Sequence, residues 1–207
     1  MKRSILIATL VVLIVVICVV IGKGVINNRD KTYIDKAYKS IEKYYQENDA
    51  QNIGELKVFL RKSINDNQHL ILAKKHRGEG QLFSELFLLN SNCKILATAS
   101  IEAPLSPCFS LGQIFYDGKT ILFGSFDDDK YVPKDDKVVT VKINKIFAEL
   151  NSGETVKESV DMDKGYIIVL DGESEVKTFN LYNEKDELQS SIDDVIVSNQ
   201  ELHFLVE

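Results

Sequence analysis

The sequence GQIFYDGKTILFGSF, residues Gly112–Phe126, specifies a β-hairpin near the middle of the chain. Two apolar runs, Gln113–Tyr116 and Lys119–Phe126, flank the dipeptide Asp117-Gly118. Both central residues of a two-residue hairpin turn need a positive φ, which Asp and Gly tolerate best. The stretch therefore predicts two antiparallel strands joined by a tight turn.

The residues before this hairpin repeat the pattern of apolar runs separated by turn residues. His69–Lys75 and Gln81–Leu89 flank the segment Arg77-Gly78-Glu79-Gly80, which predicts a second hairpin. Lys94–Ile101 is a further apolar run. We therefore expect residues 68–126 to form antiparallel β-hairpins that pack with the helices preceding them.

An acidic stretch, Asp127–Lys137, follows the central hairpin and predicts a linker. It carries five Asp residues and one Pro, and proline is excluded from central strands. Beyond it, residues 138–207 predict a small antiparallel β-sandwich, either a separate domain or the second half of one continuous sheet. Its predicted strands are Val138–Phe147, Thr155–Val160, Tyr166–Leu170, Val176–Leu181, Asp194–Ser198 and Leu202–Val206.

Two short helices are predicted in residues 24–67, a helical arm. In the first, Asp30–Asn48, apolar residues recur every three or four positions and form one stripe: Tyr33, Ile34, Ala37, Tyr38, Ile41, Tyr44 and Tyr45. The second is predicted to begin at a capping box of Asn52 and Glu55 and to stop at Asn65-Asp66-Asn67. Its expected buried face is Ile53, Leu56, Phe59, Leu60 and Ile64. The predicted fold class is thus α+β.

The amino-terminal residues 1–23 predict a transmembrane anchor. Residues Ser4–Gly22 carry no charge and directly follow Lys2 and Arg3. As a helix they would span about 28 Å, close to the thickness of the hydrocarbon core. The apolar run exceeds the roughly 7–15 residues of a signal peptide, so an uncleaved anchor is favoured over a cleaved signal. Bulky Ile17 before Cys18 disfavours a lipoprotein.

The orientation of this anchor follows from the length of its tail. Lys23, Arg29 and Lys31 beyond the apolar run offset the positive charge before it, so the positive-inside rule gives only a weak bias. A very short amino-terminal tail stays in the cytoplasm while the long following domain is exported. We therefore predict a single-pass cell-membrane protein with an extracytoplasmic carboxy-terminal domain.

Composition restricts the partners of the exported part. The formal net charge is −6, which disfavours binding to nucleic acid, since that function requires clustered Lys and Arg. Cys93 and Cys108 are the two cysteines beyond the anchor, and an even number outside the cell permits a disulfide. The alternative is two buried free thiols.

No catalytic or metal-binding motif emerges from the residue pattern. Neither Asp127–Asp136 nor Asp161-x-Asp163-x-Gly165 has the spacing of a calcium loop, and solvated loops are the preferred interpretation. The histidines and serines likewise lack the spacing of a zinc site or of a nucleophile motif; these are His69, His76, His203, Ser106, Ser110 and Ser125. The basic cluster Lys74–Arg77 is interpreted as a solvated hairpin tip. We therefore predict no catalytic residue, metal or cofactor.

The layout resembles a loosely defined group of uncharacterised proteins from low-GC Gram-positive bacteria. These are single-pass, membrane-anchored proteins whose exported part is mostly β. The resemblance covers residues 68–190 and is carried by HLILAKKHRGEGQLFSELFLLN (His69–Asn90), GQIFYDGKTILFGSF and KGYIIVLDGESEVKTFNLYNEKDEL (Lys164–Leu188). It implies a β-rich extracytoplasmic domain and no activity, so no functional residue is carried over.

Three functional hypotheses follow. The first is a non-enzymatic binding or interaction module at the cell surface, attached to the membrane through residues 4–22 and contacting a protein partner. The second is an accessory subunit of a membrane complex, although Ala8–Val12 offers no small-xxx-small packing pattern. The third is a hydrolase with a scattered active site, which a cleft lined by paired carboxylates or a Ser/His pair would favour.

Overall fold

The computed structural model describes residues 32–48, 57–77, 81–102 and 108–205, which form one α-helix, three short 3₁₀ helices and fifteen strands. Helix α1 covers residues 32–48. The strands are β1 Lys57–Asn65, β2 Gln68–Arg77, β3 Gln81–Asn90, β4 Ile95–Glu102, β5 Leu111–Tyr116, β6 Lys119–Gly124, β7 Asp129–Val132, β8 Lys137–Thr140, β9 Lys145–Leu150, β10 Thr155–Ser159, β11 Tyr166–Asp171, β12 Val176–Tyr182, β13 Leu188–Ser191, β14 Val197–Asn199 and β15 His203–Phe204. The predicted α+β class, rich in antiparallel strands, is confirmed.

The strands form three stacked sheets and one separate ribbon. The outer sheet has the order β1-β2-β3-β4-β15, the middle sheet β11-β6-β5-β14, and the inner sheet β10-β9-β12-β13. The ribbon pairs β7 with β8. All pairs are antiparallel except β14 with β5, which is parallel. Since β6 pairs with β11, the middle sheet joins residues from both sides of the acidic stretch Asp127–Lys137. The domain boundaries drawn from the sequence stay predictions.

The middle sheet is buried on both faces, which explains its unbroken apolar sequence. Ile121 and Phe123 pack toward the outer sheet, whereas Leu122 between them packs toward the inner sheet. In the paired strand β11, Ile167 lies in the first of these clusters and Ile168 in the second. The molecule therefore has four layers, with α1 on the far face of the outer sheet.

Helix α1 matches the amphipathic helix predicted from Asp30 to Asn48. Ala37 and Ile41 are fully buried, and they pack with Tyr45 on Ile71 and Phe87 of the outer sheet. This is the predicted use of the tyrosine-rich stripe, as a packing face against a sheet. The hydroxyl of Tyr45 also donates a hydrogen bond to the carboxylate of Glu85.

The second predicted helix is wrong over Lys57–Asn65, which form strand β1. Leu60 and Ile64 belong to the cluster between the outer and middle sheets. Residues four apart share a face in a strand as well as in a helix, so their spacing fitted either structure. The predicted helix stop at Asn65-Asp66-Asn67 is instead the turn into β2, with Asn65 opposite Gln68. The predicted cap at Asn52 lies outside the described residues.

The central hairpin is confirmed in detail. Asp117 and Gly118 have φ values of 53° and 68°, and Tyr116 faces Lys119 across the two-residue turn. The single strand predicted over Val138–Phe147 is wrong, because it divides into β8 and β9, which belong to different sheets. Residues 141–144, between β8 and β9, form other backbone hydrogen bonds. The Val141 amide donates to the Asp128 carbonyl oxygen, and the Asn144 amide donates to the Tyr182 carbonyl oxygen.

Strand β7 lies inside the predicted acidic linker, at an edge rather than at the centre of a sheet. Among the described residues, none lies in a helix long and apolar enough to cross a membrane. The anchor predicted at residues 4–22 falls outside the described ranges, as does the loop Gly78–Gly80.

Candidate functional site

A cavity of about 750 Å³ opens at one end of the outer and middle sheets, and we call it the edge groove. Its volume is in the range of small-ligand sites. Three parts of the chain form it: the ends of β3 and β4, the residues that lead into β5, and the segment that contains β14. Its lining comprises Phe83, Ser100–Glu102, Phe109–Leu111, Asp193–Ile196, Ser198 and Gln200.

The groove runs along the edge of strand β4 and contacts both faces of the outer sheet there. Ile101 is buried in the cluster between the outer and middle sheets. Ser100 and Glu102, its neighbours along the strand, are exposed and project from the opposite face, since side chains alternate in a strand. A ligand in the groove would therefore meet Ile101 on one side of the β4 backbone, and Ser100, Glu102 and the paired Phe83 on the other.

The wall formed by Ser110 is held in place by the middle sheet. The buried hydroxyl of Tyr166 donates a hydrogen bond of 2.6 Å to the Ser110 carbonyl oxygen. The Ser125 amide donates to the Ser110 hydroxyl at 3.1 Å. Gly124 allows this close approach, because a Cβ atom there would lie 2.0 Å from the Ser110 carbonyl oxygen. Burial raises the pKa of Tyr166 well above its ordinary value, so the phenol stays a hydrogen-bond donor.

The opposite rim is held by the carboxylate of Asp194. Its Oδ2 atom accepts from Lys130 Nζ at 2.7 Å, from the Ser190 hydroxyl at 2.6 Å and from the Ser191 amide at 3.0 Å. Ser191 and Asp194 form a capping box around the 3₁₀ helix Ile192–Asp194. Burial opposes ionisation of Asp194, but these donors outweigh it and hold the pKa of Asp194 below its ordinary value.

The polar groups around Asp194 bond to one another. Lys130 Nζ lies 3.2 Å from the Ser190 hydroxyl, the separation expected of a nucleophile and its base. However, Lys130 Nζ donates to the Asp194 carboxylate at 2.7 Å, so an ion pair rather than a free base lies beside Ser190. Cys108 beside Ser190 is fully buried, and burial raises the pKa of its thiol. The cluster is therefore a support for the rim of the groove.

The exposed charge of the groove is negative. Glu102 and Asp193 are exposed carboxylates in its lining, whereas the charge of Asp194 is balanced by Lys130. Ile196 at the rim is 89% exposed, more than any other large apolar residue of the described chain. The groove thus presents uncompensated carboxylates next to an exposed apolar side chain.

The cysteines singled out from the sequence are not joined in the structure. Cys93 and Cys108 are both free and buried. Cys93 packs between α1 and the outer sheet, whereas Cys108 packs between the middle and inner sheets. Of the two alternatives, the structure has the buried thiols. Burial raises the pKa of both.

The other residues weighed in the sequence are dispersed. Asp161 accepts from the Asp163 amide and pairs with Lys164. His69 is buried and packs edge-on against Tyr33, while His203 is exposed in β15. Within the described ranges, no group of three or more His, Cys, Asp or Glu residues could hold a metal ion. Of the serines weighed, Ser110 lines the groove and Ser125 supports it.

Most of the groove was not predicted from the sequence. Glu102, Asp193 and Asp194 come from distant parts of the chain and carry no shared motif. One local signal was available, because Ser191-x-x-Asp194 has the spacing of a capping box and so predicts an ordered turn there. Comparison with family models, curated proteins and solved structures found no match to this chain.

Proposed function

We propose that this protein is a membrane-anchored, extracytoplasmic binding module that takes its ligand in the edge groove and carries out no chemistry on it. The observation that carries the proposal is the groove itself: a cavity of about 750 Å³ with an apolar floor, a few placed polar groups and a rim fixed by hydrogen bonds. Ligand sites generally combine such apolar walls with a small number of polar groups.

The support of the rim favours binding over catalysis. Asp194, Lys130 and Ser190 satisfy one another, so none of the three offers an unused base or nucleophile to a substrate. Pre-formed walls lower the conformational cost of binding, because little of the protein must be ordered when the ligand arrives. Ile196 extends the lining of the groove with an exposed apolar side chain.

The membrane attachment rests on the sequence of residues 4–22. An anchor there, with its short cytoplasmic tail, would place the groove outside the cell. Tagging the carboxy terminus and adding protease to intact cells tests this arrangement. We expect the tag to be lost while the chain still sediments with membranes; a protected tag, or release of the chain into the medium, would contradict it.

Binding is tested on the full chain in nanodiscs of zwitterionic lipid, with a fragment library that includes amines, sugars and dipeptides. We expect amide chemical-shift changes to concentrate at Ser100–Glu102, Ser110 and residues 193–200. Ile196→Asp should weaken the binding of the uncharged fragments at least about threefold, since it places a charge on an apolar contact. Val138→Asp is the matched control, because Val138 is also an exposed apolar residue but lies on β8, outside the groove.

Two results would count against the binding proposal. One is a set of fragments that bind elsewhere or nowhere. The other is an equal loss of affinity in Ile196→Asp and Val138→Asp, since this would remove the groove as the site.

A further inference from the structure

We propose that the ligand of the edge groove is an extended peptide that adds as a strand to the open edge of β4 and carries basic and apolar side chains in alternation. This inference deepens the proposed function and rests on it. It assigns the ligand class from the backbone edge, the two faces and the charge of the groove.

The first argument is the unpaired edge of β4. Strand β15 pairs with β4 at Ala97 and Thr98, with His203 opposite Thr98. The Leu205 amide donates a hydrogen bond to the Leu96 carbonyl oxygen, so the backbone N–H and C=O of Leu205 face β4. Backbone groups two residues apart in a strand point the same way, so those of His203 also face β4. His203 and Thr98 are therefore a hydrogen-bonded pair, and alternation turns the backbone groups of Ser100 to the same side.

No described strand pairs with Ser100–Glu102 on that side, although β3 pairs with them on the other. An open row of amide and carbonyl groups is a template for another strand. The three residues extend about 10 Å at 3.3 Å per residue. An extended peptide could therefore continue the row that β15 begins, by the mode of recognition called β-augmentation.

The second argument is the pattern of side chains along this edge. A peptide residue opposite Ile101 would project to the same face as Ile101, which is buried in the apolar cluster between the outer and middle sheets. The residues on either side of it would project toward the face that carries Ser100 and Glu102. Directly opposed side chains on paired strands interact, and opposite charges stabilise such a pair. The edge thus selects an apolar residue flanked by basic ones.

The third argument is the sign of the charge. Glu102 and Asp193 make the groove negative, which favours a cationic segment and repels a polyanion. A second copy of this chain is also disfavoured. An antiparallel, two-fold pairing of β4 edges would bring these carboxylates close to those of the other copy, and the whole chain has a net charge of −6.

The test uses synthetic peptides on the full chain in zwitterionic nanodiscs, with empty nanodiscs as the blank. The probe is acetyl-Lys-Val-Lys-Val-Lys-amide. A block isomer with the three Lys before the two Val, and an analogue with Glu in place of Lys, are the controls. We expect the alternating probe to bind at least about fivefold more tightly than either, since the block isomer loses the match to both faces and the Glu analogue loses the charge match.

Two N-methylated isomers of the probe test strand addition directly. Only every second residue of an added strand bonds to β4, so one alternate set of amides is needed and the other faces away. We expect methylation of one set to weaken binding at least about fivefold and methylation of the other to have little effect. Equal effects of the two isomers would overturn the inference.

Variants of the protein give the matching evidence. Ser100→Pro removes the amide at the edge and should weaken binding at least about fivefold, whereas Ser100→Ala keeps the amide and should bind normally. Glu102→Gln should weaken binding about two- to fivefold, and Glu154→Gln, in the exposed turn between β9 and β10, should not. If Ser100→Pro fails to fold, the methylated peptides still decide the matter.

The outcomes separate the two proposals. Fragments that bind in the groove while no peptide binds would overturn the peptide inference and leave the proposed function standing. Failure of both fragments and peptides would overturn both. A concentration-dependent dimer that Ser100→Pro abolishes would also overturn the inference, because the edge would then belong to a second copy.

Discussion

Tyr166 positions the groove wall at Ser110, because its hydroxyl donates a hydrogen bond to the Ser110 carbonyl oxygen. Tyr166→Phe keeps the ring and leaves that carbonyl without this donor in a buried site. We expect the free energy of unfolding to fall by about 1–3 kcal/mol, as measured by urea titration. Tyr182→Phe is the control: its hydroxyl bonds to Asn180 at a partly exposed position, and we expect a loss below about 0.5 kcal/mol. Equal losses of unfolding free energy in the two variants would show that the hydrogen bond at Ser110 stabilises the fold no more than the partly exposed one at Asn180.

Asp194 gives the rim a dependence on pH. Its pKa is lowered in the folded protein, so its contribution to stability is fully present above the ordinary carboxyl pKa of 3.8 and is lost as pH falls through the folded value. We expect Asp194→Asn to be less stable than the wild type at pH 7, with the gap narrowing below about pH 4. Urea titrations at pH 7, 5 and 3 measure this gap.

The neighbouring carboxyl provides the control for that titration. Asp193 lies in the same turn, but the described contacts give it none of the three donors that surround Asp194. Asp193→Asn should therefore change stability little at pH 7. A gap for Asp194→Asn that stays constant from pH 7 to pH 3 would contradict the role given to its ionised form.

At the scale of elements, helix α1 stabilises the outer sheet by packing rather than by propensity. Ile41 is fully buried between α1 and the strands that carry Ile71 and Phe87. Ile41→Ala should lower the free energy of unfolding by about 2–5 kcal/mol, because it removes buried methyl groups and leaves a cavity. Lys39→Ala, on the exposed face of the same helix, should have almost no effect in the same urea titration. Similar losses for the two variants would mean that α1 does not rest on the sheet.

Local pattern predicted the elements whose residues obey a single period. Helix α1 has seven apolar residues at helical spacing, and the turn Asp117-Gly118 has a chemistry that few other turns share. The prediction for β1 was wrong because Leu60 and Ile64 fit the period of a helix as well as that of a strand. Only their packing in the cluster between the outer and middle sheets decides between the two structures. Long-range packing of this kind overrides local propensity and cannot be read from a window of ten residues.

The edge groove could not be predicted from the sequence for the same reason. Its walls meet only after β15 has returned to pair with β4, which lies about a hundred positions earlier in the chain. No spacing rule connects Glu102 with Asp193.

For the whole molecule, the pairing of β6 with β11 predicts that the chain on both sides of the acidic stretch unfolds together. Ile168 of β11 is fully buried between the middle and inner sheets, in a cluster that also holds Leu122 of β6 and Ile146 of β9. We expect hydrogen exchange in urea to show peptides from β6 and from β9 losing protection at the same denaturant concentration. Two separate midpoints would instead divide the chain into two domains at Asp127–Lys137.

One substitution makes this expectation quantitative. Ile168→Ala should lower the free energy of unfolding by about 2–5 kcal/mol, and it should move the midpoints of β6 and β9 by the same amount, because a shared cluster couples both sheets. Thr178→Ala, at a partly exposed site on β12, is the control and should move neither midpoint appreciably. A shift confined to β6 would show that the inner sheet is stable without the middle one.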